Sequence, residues 1–349
     1  MARGLILIGA FGLAACGDSG AGKTNLSSAE RIAAALDVCA AGRGAFAENL
    51  CADRELAALD GEVRDALIAE AADVSDAGAQ LLVRNQNRWL EARRISCGIA
   101  DAEAEPTQEQ QSCLESEFRA RARDARGAVQ EIGGYVFQRM ELVNATPVTE
   151  EVAEAMGDAA PAAITRDIRF PRIDGPQTPA IQRFNELAAQ QPQYRFEDAT
   201  NESVDYRIAF AGTELISVRF DLSADTLGAA HPNSTAKAVT VLMTEGRALA
   251  QTDVFAANSD WRRFVTQRAV AEITRQYRED DFTPPERDVQ ESATKPHLWL
   301  VTERGLTILF PPYSFGAPYV MGGTEVTIPW ADLRPYLNPA APAPIRPAA

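Results

Sequence analysis

Apolar residues along this chain change their spacing part-way, from steps of three and four to alternation in twos. In the first part, Leu56, Leu59, Val63 and Leu67 line one face of a helix predicted from Asp53 to about Ala71. A helix from about Ala77 to Cys97 carries Leu82, Trp89 and Leu90, and a shorter one ending at Leu36 can be capped by Ser27 or Ser28. Thr107 with Gln110 three residues later makes a capping box for a further helix. Leu114, Phe118, Ala125, Val129 and Ile132 share its apolar face, and Gly133-Gly134 is expected to kink or stop it. Residues 29–143 therefore read as all-helical. Residues 144–163, with two prolines and little apolar bulk, read as a linker.

Alternation begins beyond the linker. Strands are predicted at Ile164–Phe170, Val204–Phe210, Leu215–Leu222 and Ala238–Met243, and later at Leu298–Val301, Leu306–Phe310 and Glu325–Ile328. Between the two groups, Trp261, Val265, Ala269, Ile273 and Tyr277 recur every four residues, as a helix over Asp260 to Arg278 requires. Residues 164–338 thus read as an α+β domain following the all-α one. The Pro- and Ala-rich tail, 339–349, is expected to be disordered.

The start of the chain adds an address. Arg3 precedes an apolar run from Leu5 to Ala15, the length of a signal-peptide core and too short to span a bilayer. Leu13-Ala-Ala-Cys16 resembles the lipobox of bacterial lipoproteins. That resemblance implies removal of residues 1–15, lipidation of Cys16 and a tether over 16–28. The lipid anchor then sits in a membrane, with the periplasmic face of the outer membrane favoured by Gly17. Residues 17–24, GDSGAGKT, also fit the phosphate-binding loop pattern letter for letter. That chemistry needs a buried strand before the loop and alternating strands and helices after it, whereas a leader precedes and helices follow. The nucleotide-binding reading is therefore rejected.

Net charge is −15, and lysine occurs only at positions 23, 237 and 295. Such a surface repels phosphate backbones, so nucleic acid is an unexpected partner, and it attracts cationic proteins. With only His231 and His297 in the chain, neither a histidine metal site nor a catalytic triad assembles readily. No metal, no cofactor and no catalytic residue is expected.

Four cysteines remain after Cys16: Cys39, Cys51, Cys97 and Cys113. In an exported chain an even count reads as two disulfides, with three connectivities open. Local pairing, Cys39 with Cys51 and Cys97 with Cys113, is favoured because crossed pairs would bring distant elements together. A Cys₄ zinc site would want short paired spacings that these cysteines lack. Together with Leu59-Asp60 and the run Gln86-Asn-Arg-Trp89-Leu90-Glu-Ala-Arg93, the cysteines resemble the LprI-type lysozyme-inhibitor domain over about residues 36–130. Members of that family are small exported helical proteins, some implicated in inhibiting lysozyme. Trp89 reads as a core residue, and Gln86 and Arg93 as members of a buried polar network rather than contacts.

A second resemblance lies downstream. Gly228 to Asn233 (GAAHPN), Asp253-Val-Phe255, Gly305 to Tyr313 (GLTILFPPY) and Gly322 to Trp330 (GGTEVTIPW) look like the domain shared by the RsiV family and the C-terminal part of PdaC-type proteins. In the RsiV family this domain binds lysozyme. Neither a cytoplasmic anti-sigma segment nor a deacetylase domain accompanies it here, so signalling and deacetylation are not carried over. From the residues themselves, Gly228 and Pro232 suit a turn that His231 can brace. Pro311 to Tyr319 holds three aromatics, Tyr313, Phe315 and Tyr319, on a stiff loop after a strand, and these are the candidate contacts. The expectation is a non-catalytic lipoprotein that binds, and inhibits, lysozyme or a related wall-cleaving enzyme. Its alternative is a structural or assembly lipoprotein that binds other envelope components.

Overall fold

The computed structural model describes residues 28–40, 44–190 and 199–346. The leader, Cys16 and the loop-like run 17–24 lie outside the described residues. An N-terminal helical region with two disulfides is followed by an α+β region built on a seven-stranded sheet.

The helical region comprises α1 (Ser28–Leu36), α2 (Ala45–Ala52), α3 (Arg54–Ala71), α4 (Asp76–Ser96) and α5 (Gln108–Ala125). Its helix starts follow local chemistry. The Asp53 carboxylate accepts the N–H groups of Glu55 and Leu56, Ser75 caps α4, and Thr107 with Gln110 forms the capping box at α5. Leu50, Leu56, Val63, Leu67, Leu82 and Phe118 meet in its core. Trp89 is buried edge-on to Phe118 at 5.0 Å, the core role expected of it. The disulfides follow the local scheme, Cys39–Cys51 and Cys97–Cys113, with Cα atoms 5.6 and 5.7 Å apart.

The expected long last helix is not what forms. It ends at Ala125, and Val129–Ile132 becomes strand β1, hairpinned to β2 (Tyr135–Pro147). Gly133 and Gly134 have φ of +61° and +80°, the left-handed pair that a two-residue hairpin turn needs, so they reverse the chain rather than kink a helix. The Glu70 carboxylate accepts the N–H groups of Gly127 and Val129 at 2.7 Å each, which fixes the exit from α5. Residues 144–163 are not a linker either. Strand β2 runs through to Pro147 and pairs antiparallel with β3 (Ala163–Ile173) from Phe137 opposite Ile173 to Pro147 opposite Ala163. A short α6 (Glu150–Met156), capped by Thr149, joins them.

After β3, α7 (Pro179–Ala189) leads to β4 (Thr200–Ala211), β5 (Leu215–Thr226), β6 (Asn233–Leu242) and β7 (Arg247–Ala248). The strands lie in chain order, and every pairing is antiparallel except β3 with β4. Along β5 the period of two separates the faces. Ile216, Val218, Phe220 and Leu222 join Phe184 of α7 in one core, while Ser217, Arg219, Asp221 and Ser223 point the other way. On that second side stand α8 (Gln251–Val254), α9 (Trp261–Gln276), α10 (Glu286–Ala293), strands β8 (Trp299–Val301), β9 (Gly305–Phe310) and β10 (Thr324–Pro329), and α11 (Trp330–Leu333). Phe255 stacks on Trp261 at 4.2 Å, and Trp299 meets both edge-on. Ser217 Oγ accepts the Val301 N–H at 3.0 Å, joining the two sheets. The tail is not disordered through Arg346: Ala341 and Ile345 are buried in this same core, an apolar anchor hidden among prolines and alanines.

The helical region stands on the same side of the large sheet. Asn85 Nδ2 donates to the Arg139 carbonyl at 2.9 Å, Gln138 Nε2 donates to the Gly78 carbonyl at 2.7 Å, and Ala92 packs on Val143 and Ala145. Paired residues share a face. Val143 lies opposite Asp167, Asp167 opposite Ser203 and Ser203 opposite Ser223, so one continuous face carries the helical region at one end and the β8–β10 unit at the other.

Candidate functional site

Beside the β8–β10 unit the sheet face is open, and a cleft of about 530 Å³ lies there. Its floor is the outward face of β4, β5 and β6, including Ser203, Asp205, Arg219, Asp221 and Ser234. Its wall is the end of β9 and the start of β10 with the loop between them, including Pro311, Pro312, Tyr319 and Glu325. Arg219, 16% exposed, organises the floor. Its Nε donates to both Asp221 oxygens at 2.7 and 2.9 Å, and its Nη1 bonds the Glu325 carboxylate. Arg207 approaches Glu325 to 3.8 Å. Gly323 closes the wall, since a Cβ there would come within 2.8 Å of the Phe310 carbonyl oxygen.

The β9–β10 loop forms the rim. Tyr313 is 59% exposed at φ +66° and Val320 is 90% exposed. A bulky side chain in left-handed backbone is a genuine outlier, strained by about 1–2 kcal/mol. The Tyr319 ring stacks on His231 at 4.0 Å, its hydroxyl bonds the Pro232 carbonyl, and it lies 5.6 Å from Tyr313. His231 also contacts the Pro232 carbonyl through Nδ1 at 3.0 Å, on the turn between β5 and β6. Of the three candidate contacts, Tyr313 and Tyr319 meet at the rim and Phe315 does not. Phe315 is 0% exposed, because its ring is taken up among Tyr277, Phe282 and Phe310 in the apolar core. The charged floor was missed from sequence. Its one signal is the alternation Arg219-x-Asp221-x-Ser223 on a strand whose other face is apolar, which also reads as an ordinary solvated strand.

The residues of the helical resemblance lie at its seam with the sheet. Gln86 Oε1 accepts from Arg121 Nε at 2.9 Å, and Arg121 pairs with Glu141 at 2.8 Å with both side chains buried. Arg93 bridges Glu117 at 3.0 Å and Asp167 at 3.1 Å. Burial pushes the Glu141 carboxyl up, but Arg121 and Arg139 outweigh it and hold the group at about 2. Asp60 has no such pairing. Burial pushes it up to about 6, with Arg64 opposing and Asp37 adding to the rise. Among the described residues no helix is long and apolar enough to cross a membrane.

A three-stranded sheet with α9 and α10 packed behind it and an aromatic rim in front defines the C-terminal unit. Residues 252–331, from α8 into α11, match a family described as a protein of unknown function, DUF3298. The chain is also similar to solved structures of that family. A member from Bacteroides fragilis is 14% identical with a TM-score of 0.42, covering 60% of this chain and 96% of its own. A DUF3298 family protein from Pseudomonas aeruginosa is 15% identical with a TM-score of 0.42, covering 58% of this chain and 94% of its own. No curated protein matches the chain.

Proposed function

We propose that this chain is an exported, lipid-anchored envelope protein that binds lysozyme, or a related cationic wall-cleaving enzyme, without catalysis of its own. The observation that carries the reading is the rim. Tyr313 is held out in strained backbone on the loop that also exposes Val320, and strain of this kind persists where surrounding structure enforces it for use. A tyrosine positioned in advance loses little freedom on binding and suits the centre of an interface. The net charge of −15 favours encounter with a basic partner, and two disulfides fit an oxidising compartment. The resemblances to the LprI-type and RsiV or PdaC domains point the same way.

The test mixes the mature protein with lysozymes of several classes and follows both complex formation and wall lysis. A complex that weakens with salt, together with reduced lysis, is expected. Absence of binding at low salt rejects the reading, and recovery of other envelope components in its place favours an assembly role.

A further inference from the structure

We propose that the cleft beneath the rim binds a short neutral glycan segment, about a disaccharide in size. This does not rest on the lysozyme reading, which is carried by the exposed Tyr313 and Val320; Tyr319 stands at the border of the two surfaces. At about 530 Å³ the cleft falls within the range of about 300–1,000 Å³ typical of small-molecule sites. The chemistry of its lining narrows the ligand. Most of the ionic groups are tied to one another: Arg219 of the floor holds its neighbour Asp221 and Glu325 of the wall, and Arg207 stands by Glu325. Asp221 and Glu325 thus present fixed acceptors already committed to Arg219, and Asp205 adds one carboxylate outside that cluster. An anion would meet three carboxylates, Asp205, Asp221 and Glu325, whereas a compact cation would find Asp205 alone of the three not committed to Arg219.

A neutral ligand rich in hydroxyls meets neither objection. Each of its hydroxyls both donates and accepts, and so do Ser203, Ser223, Ser234 and Thr235 around the cleft. Pro311, Pro312 and Tyr319 add an apolar wall for the C–H face of a sugar ring. Gly322, where a Cβ would meet nothing within 4 Å, leaves that stretch of wall without a side chain, so the ligand can approach backbone there. Pyranose rings need hydroxyl-matching groups and an apolar surface together, and this cleft supplies both.

The experiment is calorimetric titration of the full chain with N,N′-diacetylchitobiose, cellobiose and maltose, at low and at high salt. At least one disaccharide should bind in the millimolar range or tighter, with affinity little changed by salt. Asp205→Asn, on the exposed floor, should weaken it about tenfold through loss of a charged acceptor. Ser234→Trp should abolish it by filling the cleft, and Tyr313→Ala should leave it unchanged. Both floor positions are exposed, so the variants retain the fold, checked by matching circular dichroism and melting temperature. The proposal is overturned if no disaccharide binds, or if Ser234→Trp binds as the wild type does. Salt-sensitive binding of tetra-arginine with no disaccharide binding also overturns it, and gives the cleft to a cationic polypeptide. Lysozyme binding by Ser234→Trp without glycan binding would separate the two surfaces.

Discussion

Replacing Glu141 with glutamine removes the negative charge on which Arg121 and Arg139 converge at the seam between the helices and the sheet. The fold holds this carboxyl at about 2 against 4.5 for a free glutamate, a gap worth about 3 kcal/mol of stability at neutral pH. An independent route agrees, because stranding one partner of a buried ion pair costs about 3–5 kcal/mol. Glutamine keeps the shape but leaves Arg121 buried with its charge uncompensated. Because the folded value lies below the unfolded one, the contribution is complete above 4.5 and vanishes as the pH falls through about 2. Urea unfolding of the wild type and Glu141→Gln across acid pH reads both quantities. The variant should be about 3 kcal/mol less stable at neutral pH, and the gap should close on acidification. Hydrogen exchange should show α4 and β2 losing protection together. A variant within about 0.5 kcal/mol of wild type at neutral pH, or a gap that persists in acid, would falsify the account of the seam.

Asp60 behaves in the opposite sense. Its folded value of about 6 exceeds the unfolded 3.8, so stability is greatest below 3.8 and declines until about 6. Asp60→Asn should therefore raise stability near neutral pH by up to roughly 3 kcal/mol and change little in strong acid, as denaturant melts at the two conditions would register. Replacing Cys97 and Cys113 with serine opens a loop of sixteen residues and should lower stability by about 3 kcal/mol. The check is that reductant no longer shifts the melt by the share this bridge contributes. Tyr313→Gly should relieve left-handed strain, raising stability by up to about 1 kcal/mol while weakening lysozyme binding, and equal affinity would remove Tyr313 from the interface. Ile345→Ala should destabilise the C-terminal core by about 2–5 kcal/mol, and an unchanged melting curve would mean the tail is not anchored.

What could be read from the residues is what local chemistry decides. Asp53, Thr107 and Gln110 mark helix starts because their side chains bond backbone within three residues. The alternation from Leu215 to Leu222 marks β5 because one face is fully buried. The hairpin at Gly133-Gly134 was concealed because Val129 and Ile132 continue the helical spacing of Leu114 and Phe118. The glycine pair between Gln130-Glu131-Ile132 and Tyr135-Val136-Phe137 was the contrary signal, a turn of primed type. Strand β2 was lost in the same way, since Thr146 and Pro147 look like loop until the β3 pairing is known. The inward turn of Phe315 and the joining of Arg219 to Glu325 depend on contacts between residues far apart in the chain, which no local pattern encodes.

The burial of Ile345 bears on how much of this protein is needed for a self-sufficient fragment. The stretch that matches the family, 252–331, does not contain all the side chains that fill its interior. Leu215 and Leu242 reach it from the strands before, and Ala341 and Ile345 from the segment after. A fragment cut at the family borders would expose an unfilled apolar hollow on two sides and be prone to self-association. An excised piece meant to stand alone has to reach back through α7, whose Phe184 covers the other face of β5, and keep the last buried isoleucine.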